Sequence, residues 1–312
     1  MAGIRLEWAQ FGDFDSFDVL RADEPMDVGV LPSPIATGLS TMYYMDTTIA
    51  EGAIYYYRVV AWRDAASKVS GEIATQAGDL FWSDVELLIF ADASVFPSNT
   101  IIDSSVKASP ITAVGGIQMI NTQAKLYDDG WIYYNNTGSH ATSNKYLTAN
   151  LQSALNTSDF TFECFVKPDY AKSTQYARLF AIGTHSTNGM LSISKSGNPW
   201  VLNIDTYNGG WSGGTVVATP PSMPDGQIRH ICLMRKAGIF YAFVDGVLSA
   251  TKSDLTAFLL SQTNVFIGSH PFNNGTAFDS FGGYMSSIRL TRFARYSEAG
   301  FTPPNYKFPT GG

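Results

Sequence analysis

Apolar residues along this chain recur with a period of two, in short runs that stop at Gly, Pro, Asn, Asp or Ser. No stretch repeats every 3.6 residues over a helical length, so the chain has to be built from short pleated strands joined by turns. The clearest run is Ile54-Tyr55-Tyr56-Tyr57-Arg58-Val59-Val60-Ala61-Trp62. Tyr55, Tyr57, Val59 and Ala61 share one face of it, and Tyr56, Arg58, Val60 and Trp62 the other. Ile4-Arg5-Leu6-Glu7-Trp8 alternates in the same way, and shorter runs follow at 17–21, 35–39 and 42–45. Beyond residue 80, strands are expected at 85–90, 160–166, 179–182, 191–194, 200–205, 230–235, 239–244, 265–268 and 286–290. Residues 85–90 are apolar on both faces, as a strand covered on both sides would be. Asp245-Gly246 between two apolar runs predicts a hairpin, because these residues supply the positive φ angles of a type I′ turn.

At 312 residues the chain exceeds what one hydrophobic core usually holds, so two domains are expected. The short joint Gln76-Ala77-Gly78-Asp79 sets them at 1–76 and 77–312. A net charge of −7 argues against a nucleic-acid partner, which would need a basic face. The charge is uneven: residues 1–77 carry 5 basic and 11 acidic side chains, leaving 15 and 16 for the remainder. The nearly neutral second part suits a surface that meets polysaccharide or protein without long-range steering. No apolar run reaches membrane-spanning length, so no membrane insertion is expected. MAGIRLEW lacks the pattern of a signal peptide, which implies synthesis in the cytoplasm. The two cysteines, Cys164 and Cys232, read as buried thiols, and sequence alone leaves open whether they pair.

The first part resembles a fibronectin type III domain, through Trp8 on an early strand and Glu51-Gly52-Ala53 leading into the Tyr-rich run. The resemblance implies that Tyr55 is a corner tyrosine whose hydroxyl ties back to nearby backbone. It also implies that the first strand of such a sandwich is missing, since only three residues precede Ile4. An uncovered strand edge carrying Ile4, Leu6 and Trp8 would follow, open to a strand from a neighbouring chain or covered by the second domain.

The second part resembles the laminin-G-like, concanavalin A-type jelly rolls, in order along nearly its whole length. The resemblance is carried by residues 79–88, Ile102-Asp103-Ser104-Ser105, residues 158–168, Arg229-His230-Ile231, the 241–247 hairpin and the stretch 283–290. The closing pieces Arg292-Phe293-Ala294-Arg295-Tyr296 and Phe301-Thr302-Pro303-Pro304 are similar to the branch of that family found in phage tail and virion proteins. The fold class expected is therefore all-β: a small fibronectin-like sandwich followed by a larger jelly roll.

Chemistry-bearing residues are sparse. Glycosidases of this fold usually carry an alternating acidic trio on one strand; here Glu163 stands alone, followed by Cys164 and Phe165. The four histidines, at 140, 185, 230 and 270, form no i,i+2 or i,i+4 pair that would hold zinc. The expectation is therefore a protein that is not an enzyme and requires no cofactor. Relatives often hold Ca²⁺ at the sandwich rim, and Asp128 and Asp129 in a turn are the candidate ligands. Ligand recognition is assigned to aromatic residues among Asn, Ser and Gly: Trp211 and Tyr207, Trp131 and Tyr133, and Phe272 with Asn273. Asn208-Gly209-Gly210-Trp211-Ser212-Gly213-Gly214 would put an indole on a mobile loop tip. The same aromatics could instead pin loops to the sandwich.

The reading as a whole is a bacteriophage virion-surface protein, a tail-fibre or tail-tip adhesion protein that binds a host-surface glycan or protein. Its other partners would be virion proteins and copies of itself. Two further readings stand beside it: a capsid decoration or head-fibre protein, and a glycan hydrolase of the same fold.

Overall fold

The computed structural model describes residues 3–139, 141, 144–183, 190–196, 201–207, 211–213, 215–216, 223–253, 262–272 and 277–311. The chain divides into two compact units, one of residues 1–82 with 306–312 and one of residues 83–305. The expected joint at residues 76–79 therefore falls inside the first unit, and the last residues return to it. Asp79 N–H donates to Gly311 O at 2.7 Å, which anchors that return. Among the described residues no helix is long and apolar enough to cross a membrane.

The first unit is built from β1 (Ile4–Glu7), β2 (Ser16–Ala22), β3 (Pro34–Leu39), β4 (Tyr43–Asp46), β5 (Ile54–Arg63), β6 (Ala66–Val69) and β7 (Ile73–Gln76). One sheet pairs β1 with β4; the other runs β3–β2–β5–β6, with β7 also on β5. The alternation of β5 decides the packing: Tyr55 and Tyr57 face Val19 and Ala77, with Ile4, Leu6 and Trp8 closing over them. Ala50 N–H donates to the Tyr55 hydroxyl at 2.9 Å, so Tyr55 does tie back to backbone five residues upstream. Asp46 is fully buried. Its carboxylate accepts from Arg21 Nη1 and Tyr57 Oη, both at 2.8 Å, and from Thr48 N and Oγ1. Burial alone would raise the Asp46 pKa, but these donors outweigh it and hold it below the ordinary Asp value.

The second unit begins with β8 (Val85–Ile89), β9 (Thr112–Val114), β10 (Gln118–Ile120), β11 (Trp131–Tyr134), β12 (Tyr146–Asn150) and β13 (Phe160–Pro168). β14 (Arg178–Ile182), β15 (Met190–Ser196), β16 (Val201–Tyr207), β17 (Trp211–Gly213), β18 (Thr215–Val216) and β19 (Arg229–Lys236) follow. β20 (Ile239–Val244), β21 (Val247–Ser253), β22 (Asn264–Ile267), β23 (Ser269–Phe272), β24 (Ala277–Ser280) and β25 (Gly283–Thr291) complete it. One sheet has the order β10–β11–β25–β13–β19–β20–β21–β18, with β8 on β25. The other has the order β17–β16–β15–β14–β22–β12–β9. Their inner faces meet in one continuous core, in which the Phe162 and Phe180 rings stack with centroids 4.0 Å apart. The 245–246 turn has φ of 49° and 73°, the positive pair that the Asp-Gly sequence called for. The chain is thus nearly all β and built as sandwiches, as expected.

The jelly-roll sheet containing β13 is covered on its outer face as well. Cys232, Met234 and Phe243 point outward and are capped by Ala294, Tyr296 and Phe301 of the closing segment. Tyr296 and Phe301 stack at 3.7 Å. Cys164 lies in the inner core and Cys232 in the outer cluster, so the two thiols sit on opposite faces of one sheet and do not pair. Burial raises both thiol pKa values.

Candidate functional site

Apart from the residues that the closing segment caps, the outer face of that sheet carries a half-buried row on β11, β25 and β13. Register places Tyr133 of β11 opposite Tyr284 of β25, and Tyr284 opposite Lys167 of β13. Opposite residues in an antiparallel pair project from the same face, so the three side chains stand in one row across three strands. The Tyr133 and Tyr284 rings are stacked, with centroids 4.8 Å apart and planes 12° from parallel. Lys172, just after β13, sets its ammonium 4.9 Å from the Tyr133 centroid, and Lys167 sets its own 5.7 Å from that of Tyr284. All four side chains are half-buried.

Hydrogen bonds fix the row. Lys167 Nζ donates to Gln123 Oε1 at 2.6 Å, and Gln123 Nε2 donates to the Tyr284 hydroxyl at 3.3 Å. Lys172 Nζ donates to the Tyr133 hydroxyl, which donates on to Asn135 Oδ1 at 3.0 Å. The bond to Tyr133 holds the Lys172 pKa above the ordinary Lys value. Burial raises the Tyr284 pKa, and Tyr133 adds to the shift. Because the ring faces are taken by each other and by the lysines, the row offers a ligand its ring edges, hydroxyls and ammonium groups.

Of the residues singled out from sequence, Tyr133 alone belongs to this row. Trp131, on the same face of β11, is fully buried, and its Nε1–H donates to Ala124 O at 2.9 Å. It is a support, 6.5 Å from the Tyr284 ring, and cannot contact a ligand. Trp211 does not sit on a loop tip but in β17, opposite Tyr207 of β16. Phe272 ends β23, and Asn273 lies outside the described residues. Tyr284, Lys167 and Lys172 were not singled out. Only the pairing of β25 with β11 and β13 brings them together, and no local pattern in the sequence shows that pairing.

Asp128 is buried rather than placed at a rim. Its carboxylate accepts from Ala91 N, Ser286 Oγ, Ser287 N and Ser287 Oγ, at 2.7–2.9 Å. Burial raises its pKa against these four bonds. Three of these donors meet Oδ2 and one meets Oδ1, so the carboxylate is held by protein groups beneath the surface. Asp129 is exposed and paired with Lys125 at 2.9 Å. Among the described residues, no three His, Cys, Asp or Glu side chains come together as a metal site.

Glu163 is another buried carboxylate of this unit. Arg289 Nε and Nη2 donate to its Oε1 at 3.0 and 2.8 Å, and Tyr296 donates to its Oε2 at 2.6 Å. His230 Nε2 lies 3.1 Å from Oε2. Burial opposes the charge, but Arg289 and then His230 outweigh it and hold the Glu163 pKa well below the ordinary range. With zero exposure, Glu163 ties the closing segment to the sheet through Tyr296.

In the first unit, Ile4, Leu6 and Trp8 point into the core rather than outward. Trp8 N–H donates to Met42 O at 3.1 Å, so by alternation Ile4 and Leu6 bond to β4 while the N–H and C=O groups of Arg5 and Glu7 turn to the other edge. Beside that edge lies a cleft of about 200 Å³ lined by Trp8, Phe17, Val59, Ala61, Lys68 and Val69.

The sequence matches the model of the concanavalin A-like lectin/glucanases superfamily over residues 140–298. The chain belongs to that family. No curated protein matches in sequence. Among solved structures it is similar to domain 4 of a GH43 extracellular arabinanase from Geobacillus stearothermophilus, in complex with arabinotriose, at 16% identity and a TM-score of 0.46. That match covers 70% of this chain and 95% of the other. A Trypanosoma rangeli sialidase mutant displaying trans-sialidase activity matches at 12% identity and 0.44, over 78% of this chain and 41% of that one. The enzymatically active domain of tailspike protein 2 of bacteriophage CBA120 matches at 12% and 0.40, over 64% and 29%. The chain spans less than half the length of the sialidase and of the tailspike domain. These likenesses concern the fold alone.

One expectation is corrected. The family takes in glucanases as well as lectins, and the similar structures are parts of an arabinanase, a sialidase and an enzymatically active tailspike, so the expectation that the protein is not an enzyme does not stand. A missing acidic run on one strand excludes only one placement of the two carboxylates. Hydrolysis requires their separation in space, and residues from different strands can supply it.

Proposed function

We propose that this protein is a glycan-binding adhesion protein of a bacteriophage tail, and that the Tyr133–Tyr284 row is its saccharide site. The observation that carries the reading is the stacked, hydrogen-bonded, half-buried tyrosine pair on the outer face of a lectin-type sandwich. Two phenols, two ammonium groups and a carboxamide in a fixed row match the hydroxyl-rich edge of a sugar, and the surrounding bonds remove the cost of ordering them. The tail setting rests on the likeness of the closing stretch 292–304 to phage tail and virion proteins, and on the order of the two units. Copies of this chain and other tail proteins would be its partners, on the virion surface.

The test is a glycan array, together with host-envelope preparations, probed with the full chain, its Tyr284→Ala variant and its Tyr284→Phe variant. Saturable binding that falls at least about tenfold in Tyr284→Ala supports the site, since a lost contact of this kind is worth on the order of 1.4 kcal/mol. Tyr284→Phe keeps the stack and separates a lost hydroxyl from a lost fold. Binding to no saccharide or envelope preparation, or binding indifferent to Tyr284→Ala, overturns the reading. Reducing-sugar release measured in the same samples shows whether binding is followed by cleavage.

A further inference from the structure

Charge along the row is unbalanced. Lys172 has a carboxylate nearby, Asp169 Oδ2 at 3.7 Å. Among the described residues Lys167 has no carboxylate within ion-pair distance, and its polar partner is the neutral carboxamide of Gln123. A half-buried ammonium without a counter-charge bears a desolvation cost that an anion would offset. The ammonium has three N–H donors, and Gln123 takes one. Lys172, Tyr133 and Tyr284 stand beside it in the same row, and the stacked rings hold the two cations apart on either side.

We infer that the row recognises an acidic saccharide, with an oxyanion of the sugar seated on Lys167 and the neighbouring hydroxyls meeting Tyr284, Tyr133 and Lys172. This rests on the saccharide-site reading and narrows it to a substrate class. A neutral sugar would leave Lys167 as it is, without a partner charge. A carboxylate or phosphate ester would gain a charge-assisted hydrogen bond there, roughly twice as strong as a neutral one. The near-neutral charge of the second unit means that attraction would arise at the site itself and not from a broad field.

The test measures binding of the full chain to polygalacturonate, to the same polymer with its carboxyl groups reduced to alcohols, and to a glycerol-phosphate polymer. Each is titrated at low and high salt, against the wild type and the Lys167→Gln variant. The expected result is binding to at least one acidic polymer at least about tenfold tighter than to the reduced one, weakened by salt, with Lys167→Gln removing most of the difference. Preference for the carboxylate or for the phosphate polymer identifies the source of the oxyanion. Equal affinity for the acidic and reduced polymers, or a preference that survives Lys167→Gln, overturns the inference and leaves the saccharide site standing. No binding to any of the three, together with an empty glycan array, overturns the site as well.

Discussion

Replacing Glu163 by Gln tests the account of the second unit's outer layer. The substitution keeps the shape of the side chain but removes the charge that faces Arg289 Nε and Nη2 at 3.0 and 2.8 Å. Arg289 is itself only 1% exposed, so water cannot take over. Breaking one partner of such a pair costs about 3–5 kcal/mol, because the remaining charge stays buried. The hydrogen bond from Tyr296 becomes a bond to a neutral acceptor or is lost, which loosens the closing segment over Cys232 and Phe243. For a unit of this size each kcal/mol moves the melting temperature by roughly 2–4 °C, so a fall on the order of 10 °C is expected. Differential scanning calorimetry of the full chain reads this as a shift of the second unit's transition, with the first unit's transition unmoved. Adding Arg289→Met to Glu163→Gln should recover much of the loss, since a removed pair costs less than a broken one. A shift below about 2 °C in Glu163→Gln would refute the argument that this carboxylate is essential to the layer.

Three other outcomes follow from the same structure. Glu163 and Asp46 both have pKa values held below their ordinary values, 4.5 and 3.8, so each stabilises the fold fully above those values and less as pH falls through them. Urea unfolding followed from pH 7 to pH 3 should show stability falling from about pH 4.5 downward, with a smaller fall in Glu163→Gln. Asp128→Ala strands four donors and should destabilise the second unit by about 3 kcal/mol or more, whereas neither Ca²⁺ nor a chelator should move its melting temperature. Hydrogen exchange should find the Leu6 amide protected and those of Arg5 and Glu7 fast; protection of the latter two in the presence of another virion protein would mark a strand added to that edge.

Period-two alternation and turn chemistry located most of the strands because both are local. Residues 54–62 and the Asp245-Gly246 hairpin carry their structure in neighbouring letters. Aromatic residues beside Asn in residues 131–136 suggest adaptable recognition contacts. The structure instead puts residues 131–134 into a strand with Trp131 underneath and Tyr133 above. The cause is the second covering on this sheet: a strand buried on both faces and a strand half-open on one can show the same run of apolar and aromatic letters. The same covering explains Asp128 and Glu163, which look like surface acids in a list of residues but lie beneath loops and the closing segment.

The row on β11, β25 and β13 has the opposite origin. Tyr133, Lys167 and Tyr284 are separated by more than a hundred residues in places, and nothing in the sequence around Lys167 or Tyr284 links them to Tyr133. They form a site because β25 lies between β11 and β13, setting the three side chains opposite one another. The closing segment packs instead on Phe243 and Cys232, through Ala294, Tyr296 and Phe301. The position of the site is therefore decided by strand order, and Tyr284→Ala empties the row while leaving that packing untouched.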